Sequence, residues 1–207
     1  MFSFSSRLYA ISDTRISGLS HEQQVAQLAE GGARLIQIRE KDLAPRSFYR
    51  EAELAVREAR KRCVCLIIND RPDIALAVGA DGVHLGQDDL PAEAARKLLG
   101  PDAIIGLSTH NLSQAQTAAQ LPINYIAIGP IFVTTTKVNP EPAIGVDGLR
   151  RVRDLVGTIP LVAIGGITAE NAAQVIAAGA NAVAVISALL KDGLDISQNT
   201  RRFLQLI

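Results

Sequence analysis

Eight short apolar runs recur along the chain, and they constrain the fold more than any other feature. They are Leu8–Ser12, Leu35–Arg39, Cys65–Asn69, Gly82–Leu85, Ile104–Leu107, Tyr125–Gly129, Leu161–Gly165 and Ala182–Ser187. Most are continuous rather than alternating, as parallel strands covered on both faces are. Helical patterns lie between them. Ser20-x-x-Gln23 is a capping-box signature. Residues 46–62, 111–121, 147–156 and 168–178 carry apolar positions at helical spacing, the last with Gly179 as its stop. The phrases AVGADGVHLG (77–86) and AAGANAVAVI (177–186) nearly repeat, each reading as helix end, turn and strand. This order predicts an α/β fold, a single-domain (β/α)8 TIM barrel over residues 1–207. A doubly wound open sheet is the runner-up. It would want a Gly-rich fingerprint after the first strand, where the chain reads SDTRISG (12–18).

The chain's 207 residues suit one domain. A chain of this size buries roughly 70% of its unfolded surface and needs no disulfide or metal staple. Basic and acidic residues balance at 21 each. Nothing global therefore points to nucleic acid or to an anionic membrane, and Trp is absent. The only cysteines, Cys63 and Cys65, cannot complete a four-ligand zinc site and read as reduced and structural. MFSFSSR (1–7) lacks the basic start and apolar length of a secretion signal. The reduced cysteines suit an intracellular protein, and the single-domain form suggests a cytoplasmic location. The apolar stretch 172–190 is long enough for a membrane span, but Gln174, Asn181 and the break at 178–181 read better as helix, turn and strand.

Barrel active sites gather at the C-terminal ends of the strands. Those ends carry Gln37-Ile38-Arg39-Glu40-Lys41, Asn69-Asp70-Arg71, Gln87-Asp88-Asp89 and Ser108-Thr109-His110. Carboxylates on neighbouring strand ends beside Arg and Lys point to a divalent cation with an anionic ligand. Mg²⁺ is typically held by one or two carboxylates and substrate phosphate, and Arg39, Lys41 and Lys137 would take the remaining charge. Any one of these clusters reads equally well as solvated loop charge; several on successive strand ends favour function. Chemistry alone does not choose between Asp88 and Asp89.

Gly165-Gly166 and Ile186-Ser187-Ala188 follow the seventh and eighth strands, where barrels commonly bind phosphate. Thr134-Thr135-Thr136-Lys137 and the polar stretch after it suit a lid over phosphates. A Schiff-base role for Lys137 would want an apolar setting that this loop lacks. Of the three histidines, His21 reads as a surface residue, His84 as a satisfied packing residue, and His110 as a contact at a strand end.

Together these segments resemble the thiamine phosphate synthase family. The matching motifs are QIREK (37–41), INDR (68–71), GVHLGQDDLP (82–91), GLSTH (106–110), GPIFVTTTK (129–137), AIGGI (163–167) and VISA (185–188). Each is modest alone, but they run in order across nearly the whole chain. The resemblance implies Mg²⁺-dependent joining of a pyrimidine methyl diphosphate to a thiazole phosphate, with release of pyrophosphate by dissociative substitution. It implies pyrimidine diphosphate contacts from Gln37, Ile38, Arg39, Glu40, Lys41, Asn69, Ser108 and Lys137, with Arg39, Lys41 and Lys137 catalytic. It implies Mg²⁺ ligands at Asp70 and Asp89, and thiazole phosphate contacts from Thr134, Thr135, Thr136, Gly166, Ile186 and Ser187. Ser12 departs from the threonine more usual on the first strand. The implied partners are two phosphorylated small molecules, without nucleic acid or membrane; a homo-oligomer is compatible with them.

Three other functions fit the sequence less well. A thiazole tautomerase-like isomerase of the same barrel family needs a proton-transfer residue after the sixth strand, where Gly129-Pro130-Ile131-Phe132 offers none. A sugar-phosphate epimerase would want histidine metal ligands. A non-catalytic phosphate binder would release no pyrophosphate.

Overall fold

The computed structural model describes residues 3–4, 6–134, 136, 141–191 and 195–207. Its strands are β1 (Leu8–Ser12), β2 (Leu35–Ile38), β3 (Cys65–Asn69), β4 (Gly82–Leu85), β5 (Ile104–Thr109), β6 (Tyr125–Ile128), β7 (Leu161–Ile164) and β8 (Ala182–Val185). Each pairs in parallel with the next, and β8 returns to β1, where Tyr9 faces Ala184, so the sheet closes into the expected barrel. The helices among the described residues are α1 (Thr14–Ser17), α2 (His21–Glu30), α3 (Pro45–Lys61), α4 (Pro72–Val78), α5 (Ala92–Leu99), α6 (Leu112–Ala118), α7 (Gly145–Val156), α8 (Ala172–Ala177), α9 (Ser187–Leu190) and α10 (Ile196–Leu204).

Alternation along each strand makes two concentric cores. Tyr9, Ile11, Leu35, Ile67, Tyr125, Ala127, Val162, Ala182 and Ala184 fill the barrel interior. The other faces, including Ala10, Ile36, Ile68, Val83, Ile105, Ile126 and Val183, pack outward against the helices. Both faces are thus dry, which explains the continuous apolar runs. Cys65 belongs to the interior set, and burial pushes its thiol up to about 12, so it stays an unreactive thiol.

The near-repeat in the sequence has a physical job. The turn before a strand supplies a side-chain acceptor for a backbone N–H in the neighbouring strand. Asp81 accepts from Leu66 N (2.7 Å), Asn124 from Ile105 N (2.9 Å) and Asn181 from Leu161 N (2.8 Å). Helix arginines brace the last two: Arg96 donates to Asn124 at 2.7 Å and Arg153 to Asn181 at 3.0 Å.

The Ser20–Gln23 capping box forms in full at the start of α2. Residues 172–190 resolve into α8, β8 and α9, and no described helix is long and apolar enough to cross a membrane. Boundaries differ in places. β5 runs two residues past Leu107, whereas Arg39, Gly129, Gly165 and Ile186-Ser187 lie just beyond their strands. The short helices α1, α4, α5, α9 and α10 are additional to the patterns read from the sequence. α10 packs on α2: a Cβ placed on Gly31 would lie 2.5 Å from Thr200 Cβ. The surface reading of His21 is wrong. Its ring is fully buried because the first turn of α2 sits beneath the loops that follow β1 and β2.

Candidate active site

Three adjacent strand ends carry the charge. The chain turns sharply after β3, placing Asp70 at φ 62°, in the left-handed region that Asp tolerates better than most residues. Asp70 N–H donates to His84 O at 2.8 Å, tying this turn to β4. Lys41, beyond β2, forms an ion pair with the Asp70 carboxylate. Asp89 accepts from Gly86 N at 2.6 Å, which folds the loop after β4 back toward Asp70. The Asp70 carboxyl acts directly on that of Asp89. Burial first, and then Asp70, hold the Asp89 carboxyl above the usual carboxylate range. Asp88 stays exposed on the outside of this loop.

Two carboxyls pressed together are repulsive when both ionise, and a divalent cation between them relieves that repulsion. No group of three or more His, Cys, Asp or Glu side chains among the described residues is placed to hold a metal ion. A two-carboxylate site fits Mg²⁺, which keeps coordination positions for water and phosphate. Asp70 and Asp89 are the side chains that would hold it.

Arg39 is aimed by a residue that sequence reasoning missed. Asp13, just past β1 and 1% exposed, caps α1 through Arg15 N (3.0 Å) and accepts from Arg39 Nη1 at 2.6 Å. Asp13 falls on the inward alternation set by Tyr9 and Ile11, which was the available signal. Glu40 turns inward instead of toward the mouth. It accepts from Asp42 N (2.8 Å), Leu43 N (3.3 Å) and Thr14 Oγ1 (3.1 Å), with His21 Nε2 at 3.5 Å. Burial works to raise its pKa, but these donors outweigh it and the carboxyl lies below its ordinary value. Glu40 therefore anchors the segment carrying Arg39 and Lys41. Ile38 sends its side chain into the strand–helix core, so only its backbone is available at the mouth.

Gln37, Asn69 and Ser108 lie at or near the ends of β2, β3 and β5. Beneath them runs a buried polar chain. Gln37 Nε2 donates to Tyr9 Oη (2.9 Å), Tyr9 Oη meets Tyr125 Oη (2.9 Å), Tyr125 Oη meets His84 Nδ1 (2.9 Å), and His84 Nε2 meets Ser108 Oγ (2.8 Å). His84 is thus a satisfied interior residue, and burial pushes its imidazole down to about 4. His110 Nδ1 is engaged with Gly129 O at 2.7 Å, which holds β5 to the loop after β6.

On the far side of the mouth, Gly166 has φ 65°, and a Cβ there would lie 2.7 Å from Phe132 Cβ and Val133 O. The glycine lets the loop after β6 pack onto the end of β7, a role that sequence reasoning did not anticipate. Ile186 and Ser187, half-buried, open α9. Thr134 Oγ1 accepts from Thr136 N at 3.3 Å. Thr135 and Lys137 lie outside the described residues.

The closed parallel barrel, with cationic side chains, paired carboxylates and a glycine turn at its strand ends, has the architecture of an α/β barrel enzyme. The family model described as thiamine monophosphate synthase matches residues 8–189. A thiamine-phosphate synthase of Chloroflexus aurantiacus is 48% identical, covering 89% of this chain and 85% of that protein. One from Koribacter versatilis is 46% identical over 97% and 95%. A solved structure, the thiamine phosphate pyrophosphorylase of Pyrococcus furiosus, superposes with TM-score 0.85 at 36% identity, covering 97% and 94%. The chain belongs to the thiamine-phosphate synthase family and is a transferase of thiamine synthesis.

Proposed function

We propose that the enzyme condenses 4-amino-2-methyl-5-(diphosphooxymethyl)pyrimidine with 4-methyl-5-(2-phosphooxyethyl)thiazole, or its carboxylated form. The products are thiamine phosphate and pyrophosphate. The observation that carries this reading is the Asp70–Asp89 carboxyl pair with Lys41 bound to Asp70. Bound Mg²⁺ would neutralise diphosphate charge as the leaving group departs. Arg39, fixed by Asp13, and Lys41 act on the same diphosphate, where charge accumulates in a dissociative transition state. A pyrimidine methyl cation then needs a positioned thiazole nitrogen rather than a strong base. Ser108, Gln37 and Asn69 support the pyrimidine end; Gly166, Ile186, Ser187 and the threonines support the thiazole phosphate. Thr135 and Lys137 enter on the sequence motif alone. Cys63 and Cys65 are free, in keeping with a reducing compartment, and we place the reaction in the cytoplasm.

Mixing both substrates with Mg²⁺ tests the proposal. Stoichiometric thiamine phosphate and pyrophosphate are expected. Isomerisation of a thiazole, or binding without pyrophosphate release, would overturn it.

A further inference from the structure

The buried chain Gln37–Tyr9–Tyr125–His84–Ser108 crosses the barrel interior and joins two strand ends that face the same mouth. We infer that it is a polarity-setting device: Tyr9, Tyr125 and His84 act as positioning residues that make Ser108 a hydrogen-bond donor and Gln37 a hydrogen-bond acceptor toward the substrate.

Donor counting makes the chain run one way throughout, and Gln37 Nε2 facing Tyr9 Oη sets which way. The Gln37 amide commits Nε2 to Tyr9 and so has its carbonyl Oε1 to offer a ligand. The Tyr9 side chain is buried, and a buried donor left unmet is destabilising. Having accepted from Gln37, Tyr9 gives its hydrogen to Tyr125. Tyr125 gives its own to His84 Nδ1, an imidazole nitrogen and the stronger acceptor within the chain. A neutral imidazole that accepts at Nδ1 donates at Nε2, and the acceptor there is Ser108 Oγ. Ser108 already receives a hydrogen from His84, so its own hydrogen is available to the mouth. Reversing any one link strands a buried donor unless every link reverses with it. The two ends, 71 positions apart in sequence, are thereby coupled.

This inference rests on the proposed function for its ligand. A substrate bridging these ends presents an N–H to Gln37 and a lone pair to Ser108. An aminopyrimidine that carries phosphate or ring-nitrogen acceptors does so; its 4-oxo counterpart presents an acceptor to Gln37 and is discriminated against. Sites built to bond one polar group reject the mismatched analogue strongly, because buried polar groups are left unpaired.

The test reads the His84 tautomer by ¹⁵N NMR of the full chain labelled at histidine, with His21 and His110 as references. In the parent, the proton is expected on Nε2. Gln37→Glu, taken to a pH at which the new buried carboxyl is seen to ionise, accepts from Tyr9 and forces the opposite order, so the proton moves to Nδ1. In a Tyr125→Phe background, the same Gln37→Glu change should leave His84 unaltered. A parent proton on Nδ1 overturns the inference without any variant, as does an unmoved tautomer in folded Gln37→Glu protein. A second readout is the preference for the 4-amino over the 4-oxo pyrimidine diphosphate. It should fall about tenfold or more in Tyr9→Phe, whose amide at Gln37 is free to turn. An unchanged preference overturns the specificity claim. Absence of any reaction with the amino substrate would instead overturn the proposed function, which the tautomer measurement does not touch.

Discussion

Asp70 and Asp89 meet carboxyl to carboxyl at the ends of neighbouring strands, and Lys41 neutralises only one of them. This pair is strained electrostatically until a cation or a proton joins it. A carboxyl whose folded pKa is raised above its ordinary 3.8 stabilises the fold below 3.8 and loses that contribution as pH rises through the folded value.

Above that folded value the metal-free protein carries the full repulsion. Asp89→Asn removes it, so the metal-free variant should unfold at a higher temperature than the metal-free parent. Mg²⁺ should raise the parent's unfolding temperature and leave the variant's unchanged. Thermal denaturation with and without Mg²⁺ checks both statements. Equal shifts in the two proteins would argue against the pair as the cation site.

Asp13 holds Arg39 by a 2.6 Å bond and caps α1 as well. Asp13→Asn keeps the capping oxygen but removes the charge that aims the guanidinium. The KM for the pyrimidine diphosphate should rise about tenfold, equivalent to about 1.4 kcal/mol, with little change in unfolding midpoint. Steady-state kinetics beside a urea titration separates this from a folding defect, which would shift the midpoint.

Gly106 leaves space for the Tyr125 phenol: a Cβ there would sit 2.0 Å from Tyr125 Cζ. Gly106→Ala should overpack the interior and cost about 1–3 kcal/mol or more. Urea denaturation measures it. A cost within experimental error would mean that the phenol has another place to go.

His21 is buried between Ser12 Oγ (2.8 Å) and Glu40. Burial lowers its pKa, against the opposing pull of Glu40, Glu51 and Asp13. An imidazole with a folded pKa below its ordinary 6.5 takes a proton more readily when unfolded. Stability is then full above 6.5 and falls as pH drops through that value. Urea midpoints between about pH 7.5 and about pH 5.5 should fall less steeply in His21→Gln than in the parent. Identical slopes would remove His21 from the acid response.

The barrel was legible because eight dry strands leave continuous apolar runs, and the α2 capping box because it is local. The family spacing also picked Asp89 over Asp88; in the fold Asp89 accepts from Gly86 N while Asp88 is exposed. Long-range pairing left no such trace. Tyr9 and Tyr125 meet only because β1 and β6 share a barrel interior. His21 looked polar and terminal, yet its burial depends on where Glu40 folds back. Gly166 looked like a phosphate turn in the sequence; its close neighbours are Phe132 and Val133, which no local pattern connects to it.

The most direct test of the central claim is Mg²⁺-dependent pyrophosphate release by the parent, Asp70→Asn, Asp89→Asn and Asp88→Asn. The account predicts that the first two variants fold but lose roughly a hundredfold or more in rate, while exposed Asp88 can be replaced with a much smaller effect. Near-parental Mg²⁺-dependent rates in both Asp70→Asn and Asp89→Asn would contradict it.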